Sequence, residues 1–420
     1  SREGHINSQK SLELFERLQR VMPGANTRST THYEPYPIAI DRGKGCRIWD
    51  VDGNEYIDLL NNYTPLVHGH AAPRIVEAIV RAARDEGMAP APTRYQAELA
   101  ERICRRTPSI ELLRFTNSGT EAVLMACRAA RAFTGRDELI MPAEGYHGGW
   151  EQVALHQVEV GESEAGPAGS EQRIPAGIPA AVAGLMHFVR YNDVGHLEGL
   201  MREHGDKVAA IIMEPVIGHT LQVGELEFVK AAQRLAREHG ALLILDEVVT
   251  NRLHVGGWQV ENDVRPDLTT LGKTIGGGLP VGAFGGRADV MGRFDPRRLD
   301  AVMHHGTLSG NMLTMAAGIA CLDMLDQEAI DRINALGEKL AGWFVAAAGE
   351  AGADMQVRAV GSLLHVTTPA QAAFHTACLE EGLYIAPRGS MNVSTAMDES
   401  VLEEAAEKWK RALGRLDWSR

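Results

Sequence analysis

The sequence predicts an α/β fold, a mainly parallel sheet flanked by helices, followed by a smaller α+β domain. Three observations carry this. Short apolar runs of β type recur through the middle of the chain, helical patterns lie between them, and the C-terminal hundred or so residues turn to helices with only short strands.

In chain order, residues 11–21 place Leu12, Phe15, Leu18 and Val21 on one helical stripe, which Met22-Pro23-Gly24 ends. Extended pieces follow at 37–41 and 46–50. Asp52-Gly53 between Trp49 and Tyr56 is a hairpin turn signal. From about residue 73, β-type runs at 112–116, 138–141, 208–213 and 241–245 alternate with helical patterns at 75–86, 120–133 and 228–239. Residues 161–185, rich in Gly, Pro, Ala and Glu, read as a surface loop. A helix at 312–325 leaves the α/β region, and helices at 331–349, 370–381 and 399–413 join short strands near 361–367 and 383–385. The expected domains are 1–65, joining the small domain, 66–311 as the large domain, and 312–420 as the small domain.

Composition narrows the function. The 420 residues are 45% hydrophobic and 23% charged, ample for a sizeable core. A net charge of -13 argues against nucleic acid as a partner. No apolar run is long enough to span a bilayer. The N-terminal residues show no basic start followed by an apolar stretch. Cys46, Cys104, Cys127, Cys321 and Cys378 are odd in number and widely spaced, which predicts neither disulfides nor structural zinc. A cytoplasmic setting is expected.

Four motifs could carry chemistry. Asn117-Ser118-Gly119-Thr120-Glu121 follows a strand and opens a helix, with capping-box spacing between Ser118 and Glu121. Free N–H groups at a helix start suit a phosphate, although an ordinary capped helix reads the same way. The run 241–245 delivers Asp246 and Glu247 at a strand's C-terminal end, where ligands bind in open α/β sheets. Such a carboxylate could bind a metal, act as a base, or hold a protonated heterocyclic nitrogen. Lys273, after Gly272 and before Gly276-Gly277-Gly278, has room for a bulky partner; a neutral lysine in a confined pocket forms Schiff bases. Gly145-Tyr146-His147-Gly148 sets an aromatic pair among glycines, suited to stacking on a flat ring. His68, His70, His304 and His305 lack partners at metal-ligand spacing, so no metal is expected. Together the motifs supply a phosphate cradle, a nitrogen partner, an amine and a stacking ring, the parts of a pyridoxal-phosphate site.

At 117–121, 246–248 and 271–278 the sequence resembles the class III aminotransferases. The likeness is greatest to the branch that holds glutamate-1-semialdehyde aminomutase and the β-amino-acid aminotransferases. It continues through Ile48-Trp49-Asp50-Val51-Asp52-Gly53, Glu214-Pro215 and Gly306-Thr307-Leu308-Ser309-Gly310-Asn311. The resemblance implies the type I pyridoxal-phosphate fold of the aspartate aminotransferase kind. It implies that Lys273 holds the cofactor as a Schiff base and that Asp246 pairs with the ring nitrogen. Val248 and Tyr146 would take the two ring faces, and Ser118, Gly119 and Thr120 the phosphate. Thr307 would reach the phosphate of a neighbouring subunit, making a homodimer. Glu214 and His147 would lie near the cofactor.

Within the family, Pro23-Gly24-Ala25-Asn26-Thr27-Arg28-Ser29 resembles the β-phenylalanine aminotransferase type and lacks the Pro-Val of the aminomutase. That implies Arg28 as the binder of a substrate carboxylate. Pro387-Arg388-Gly389 also resembles this type and makes Arg388 a second carboxylate candidate, since a planar guanidinium suits bidentate binding. After Thr250, where many relatives read Gly-Phe-Arg, this chain reads Asn251-Arg252-Leu253. The expected activity is transamination from an amino acid, favouring β-amino acids or aromatic amines, to a keto acid. An intramolecular aminomutase or a racemase is the alternative.

Overall fold

The structure, a computed structural model, describes residues 7–85, 88–154 and 174–418. The chain forms two compact units. One comprises Ser1–Glu77, His219–Leu221 and Met324–Arg420, the other Ala78–Gly218 and Gln222–Asp323. The units divide after Glu77 and Asp323, further along than the boundaries expected after 65 and 311. The helix Met312–Met324 explains the second difference. It does not leave the α/β region: Met315 and Leu322 are buried with Leu99, Ile103, Phe115 and Ile275 of the large unit.

In the first unit, β1 (Ile40–Lys44), β2 (Arg47–Asp50) and β3 (Glu55–Asp58) run antiparallel, and the hairpin turns where Asp52-Gly53 places it, with Gly53 at φ +92. The large unit is built on β4 (Leu112–Thr116), β5 (Glu138–Pro142), β6 (Met186–Val189), β7 (Val208–Met213), β8 (Leu242–Asp246), β9 (Leu268–Gly272) and β10 (Gly282–Gly286). Their order is β4-β10-β9-β8-β7-β5-β6. Only β10 runs against its neighbours, so the other six share one direction and present their C-terminal ends along one edge. β7, β8 and β9 are buried along their whole length, as strands covered on both faces must be. The helix Gly119–Thr134 packs Ala122, Met125, Ala126 and Ala129 on the sheet, ending at left-handed Gly135.

Back in the first unit, β11 (Gln356–Val360), β12 (Leu363–Thr367) and β14 (Ser390–Asn392) form a second sheet, and β13 (Leu383–Tyr384) pairs parallel with β3. The helices Gln327–Ala351 and Glu399–Leu413 meet in a stack of Phe344 on Trp409, ring centroids 3.8 Å apart. Most of the expected surface loop, up to residue 173, lies outside the described residues; its end forms the short helix Ala180–Ala183. Among the described residues no helix is long and apolar enough to cross a membrane, and all five cysteines are free thiols.

Candidate active site

The C-terminal ends of five parallel strands supply the predicted residues of the large unit other than Thr307. Asp246 closes β8. Its Oδ2 accepts from His147 Nδ1 at 2.7 Å, and its Oδ1 accepts from Thr270 Oγ1 at 3.0 Å and from Val248 N at 3.1 Å. Three donors from three segments fix the carboxylate's orientation. Thr270 is the residue directly beside Asp246 on β9. The neighbouring Glu247 is committed elsewhere. It accepts from Trp258 N, Gln259 N, Gln259 Nε2 and Thr250 Oγ1, all at 2.7–3.0 Å, and so braces the helix Gly257–Glu261. Of the two strand-end carboxylates, Glu247 is thus taken up by this helix, while Asp246 meets His147 and Thr270.

Lys273 follows the last residue of β9 and sits at φ +50, a left-handed conformation that costs a residue with a Cβ roughly 1–2 kcal/mol. Burial lowers the pKa of its amine, and the positive charge of Arg252 acts the same way. Glu214 and Asp246 pull it back up but do not prevail. A lowered pKa makes the amine easier to deprotonate and so more available as a nucleophile. Glu214 follows β7. Its Oε2 accepts from Tyr146 N at 2.9 Å and its Oε1 from Gly218 N at 3.0 Å. Burial pushes its carboxyl from the ordinary 4.5 up to about 7, against the pull of His147 and these two N–H groups.

The segment after β4 is a capped helix start. Ser118 Oγ accepts from Glu121 N at 3.1 Å, and Glu121 Oε2 accepts from Asn117 N at 2.6 Å. The return bond thus reaches the residue before the cap rather than the cap itself. A Cβ on Gly119 would stand 3.2 Å from a methyl of Val248, and one on Gly272 3.3 Å from its other methyl. Val248 is therefore wedged against two bare backbones. The loop after β5 lies on the same helix start, where Gly149 N donates to Thr120 Oγ1 at 3.4 Å. The Tyr146 ring is 53% exposed although its own N–H is tied to buried Glu214. An exposed tyrosine, a glycine-lined helix start, a fixed carboxylate and a lysine whose amine is held below its ordinary pKa fit pyridoxal phosphate.

Thr307 is exposed on the turn after Gly306, which Asn117 Nδ2 ties to the helix start by donating to Ser309 Oγ at 3.3 Å. Arg28 and Arg388 belong to the first unit and are exposed. Arg28 Nη1 donates to Asn62 Oδ1 at 2.7 Å. Burial raises the pKa of the Tyr63 phenol, and the charges of both arginines oppose that rise, which places both near one phenol.

Three of the four histidines set aside as metal ligands make other contacts. His70 Nε2 donates to Asp58 Oδ2 at 2.6 Å, His68 Nδ1 lies 2.8 Å from Thr395 Oγ1, and His304 stands edge-on to Phe284. Among the described residues, Glu138, His187 and His204 converge closely enough to consider an ion. The two rings stack 3.9 Å apart and nearly parallel, so an ion they shared would lie well out of both ring planes. His187 instead donates to Glu138 at 2.8 Å.

Sequence reading missed Thr270 and Asn62. Thr270 lies in a strand buried on both faces, where alternation carries no signal. The Asn61-Asn62 pair is a weak sign of left-handed backbone.

Comparison with known proteins completes the description. Residues 29–413 match the family described as Aminotransferase class-III. The chain is 35% identical to a glutamate-1-semialdehyde 2,1-aminomutase of Methanothrix thermoacetophila, with 96% of each chain covered. It is 38% identical to the beta-phenylalanine transaminase of Variovorax paradoxus over 94% of this chain and 90% of that one. Among solved structures, an omega-transaminase from Sphaerobacter thermophilus superposes with a TM-score of 0.91 at 37% identity, covering 96% of this chain and 97% of the other.

Proposed function

The chain belongs to the class III aminotransferases, and from that premise we propose that it moves the amino group of a β-amino acid or aromatic amine to a keto acid. It is a pyridoxal-phosphate enzyme with the type I fold. When bound, the cofactor supplies an aldehyde that captures amines and a ring that withdraws electrons. The residues of this chain do the rest. Lys273 Nζ would hold the cofactor, and as a base it would move the proton of the amine-bearing carbon. Asp246, oriented by His147, Thr270 and Val248 N, would pair with the ring nitrogen. Ser118, Gly119 and Thr120 would receive the phosphate on the helix's N–H groups. Val248 and Tyr146 would cover the ring faces, and Glu214 would hold the Tyr146 loop. Arg28 and Arg388 would receive carboxylates.

The observation that carries the chemistry is the position of Lys273, directly after the strand that pairs with that of Asp246, with its amine held below its ordinary pKa. The likeness to the beta-phenylalanine transaminase supports the substrate. The test is to add β-phenylalanine to the cofactor-loaded protein without a keto acid. Bleaching of the yellow colour supports the reading; an unchanged spectrum drops this substrate. The likeness to the aminomutase favours a second reading, intramolecular amino transfer, which would form product with no carbonyl acceptor at all.

A homodimer is part of the proposal. Leu299, Met303 and Leu308 stand exposed on the segment that carries Thr307, an apolar surface suited to a second copy. Sedimentation of the loaded protein tests it. Five free thiols support a reducing, cytoplasmic setting.

A further inference from the structure

Asn61, Asn62, Tyr63 and Thr64 all have positive φ, at 47, 53, 62 and 89. Four consecutive residues with side chains in the left-handed region are rare, because each Cβ crowds its own backbone. Such a run persists only where its surroundings over-determine it, and strain of this kind concentrates at functional sites.

The surroundings do so here. Asp58 Oδ1 accepts from Leu60 N at 2.7 Å and Asn61 N at 2.9 Å, while its Oδ2 accepts from His70. Asn61 Nδ2 donates to the Asn392 carbonyl at 3.0 Å, and Asn392 Nδ2 donates to the Leu60 carbonyl at 2.7 Å. Asp58, Asn61 and Asn392 are all buried. The left-handed backbone turns Asn61 and Thr64 inward and leaves Asn62 exposed, with Tyr63 partly so.

Both outward residues grip the same stretch of chain. Asn62 Oδ1 accepts from Arg28 Nη1 at 2.7 Å, and Tyr63 Oη donates to the Thr30 carbonyl at 2.9 Å. The backbone of Arg28 is held from its other side, since its N–H donates to Asn26 Oδ1 at 3.0 Å and its carbonyl accepts from Thr31 Oγ1 at 2.9 Å. A long exposed guanidinium would otherwise sample many rotamers.

We propose that Asn62, presented by the left-handed turn Asn61–Thr64, is the positioning residue that pre-orients Arg28 for a substrate carboxylate. The inference rests on reading Arg28 as the carboxylate binder. An amide oxygen suits the role better than a carboxylate. It fixes one edge of the guanidinium without cancelling the charge that an incoming carboxylate must meet.

The test uses three variants of the cofactor-loaded enzyme, Asn62→Gly, Asn62→Asp and Arg28→Ala. Each is measured for KM and kcat with β-phenylalanine, for binding of 3-phenylpropanoate by calorimetry, and for Tm. Glycine accepts positive φ freely, so Asn62→Gly keeps the turn and deletes only the amide. Its KM is expected to rise roughly tenfold with kcat little changed and Tm equal to or above the parent's. Asn62→Asp keeps the acceptor but pairs with Arg28, so 3-phenylpropanoate binding weakens as well. If Asn62→Gly keeps the parent KM and 3-phenylpropanoate affinity while Arg28→Ala loses both, the positioning role is overturned and Arg28 stands. If Arg28→Ala keeps both, or the parent binds no 3-phenylpropanoate, the reading of Arg28 falls and the inference with it. A large drop in Tm for Asn62→Gly would make the residue structural and also overturn the proposal.

Discussion

The strand ends of the large unit and the arginine arm of the first unit solve different problems. At the strand ends, Asp246, Glu214 and His147 are buried, and Asp246 and Glu214 each have both oxygens bonded, to strand β9 and to the loops that follow the strands. On the arm, Arg28 is exposed, and Asn62, on a turn of positive φ, accepts from its guanidinium. In the proposed reading the first region keeps charges still for the chemistry, and the second could be altered by one substitution that leaves the sheet intact.

This contrast can be broken at either end. The largest effect is expected from Lys273→Ala, which should lower turnover roughly 10⁴-fold or more and abolish attachment of the cofactor to the chain after borohydride, read by mass spectrometry. A variant that kept its turnover would remove the sheet edge from the chemistry. Asp246→Asn preserves shape but not charge, so kcat should fall about 10²-fold while KM for β-phenylalanine moves little. Arg28→Ala should show the opposite signature, a loss of roughly 10–100-fold in kcat/KM carried by KM. That is the scale of one charge-assisted pair at about 1.5–3 kcal/mol. Equal losses in kcat for both variants would erase the division of labour.

The smallest effect concerns pH. Glu214 holds its proton up to about 7 in the folded chain, whereas an ordinary carboxyl releases it near 4.5. The folded state therefore binds more protons than the unfolded one across that interval, and stability falls as pH rises through it. Cofactor-free Glu214→Gln should show a flatter dependence of Tm on pH between 4.5 and 7 than the parent. A parallel pair of curves would mean that Glu214 titrates normally.

Legibility followed the same contrast. The strands 208–213 and 242–246 and the helix 399–413 were readable because burial left continuous apolar runs or one apolar stripe. Lys273, Asp246 and the helix start were readable because strand ends and caps have local signatures. The helix Arg94–Arg106 went unseen although Thr93 caps it, since its apolar face is reduced to few residues such as Leu99 and Ile103. β10 was hidden by composition: Gly-Ala-Phe-Gly-Gly has little strand propensity. The left-handed turn was hidden for a different reason, because tyrosine and threonine do not announce positive φ. It exists through contacts with Asn392, far away in sequence.

β10 lies between β4, which leads to the helix start at Ser118, and β9, which leads to Lys273. A methyl on Gly282 would collide with the Ser118 carbonyl, and one on Gly286 with the Asp267 carbonyl. The gap between Lys273 and the helix start at Ser118 is thus gauged by a spacer whose thickness is bare peptide. In a mutational scan, these glycines would rank among the least tolerant positions while touching no reacting atom. Evolution can reshape what this enzyme accepts far more easily than it can widen that spacing.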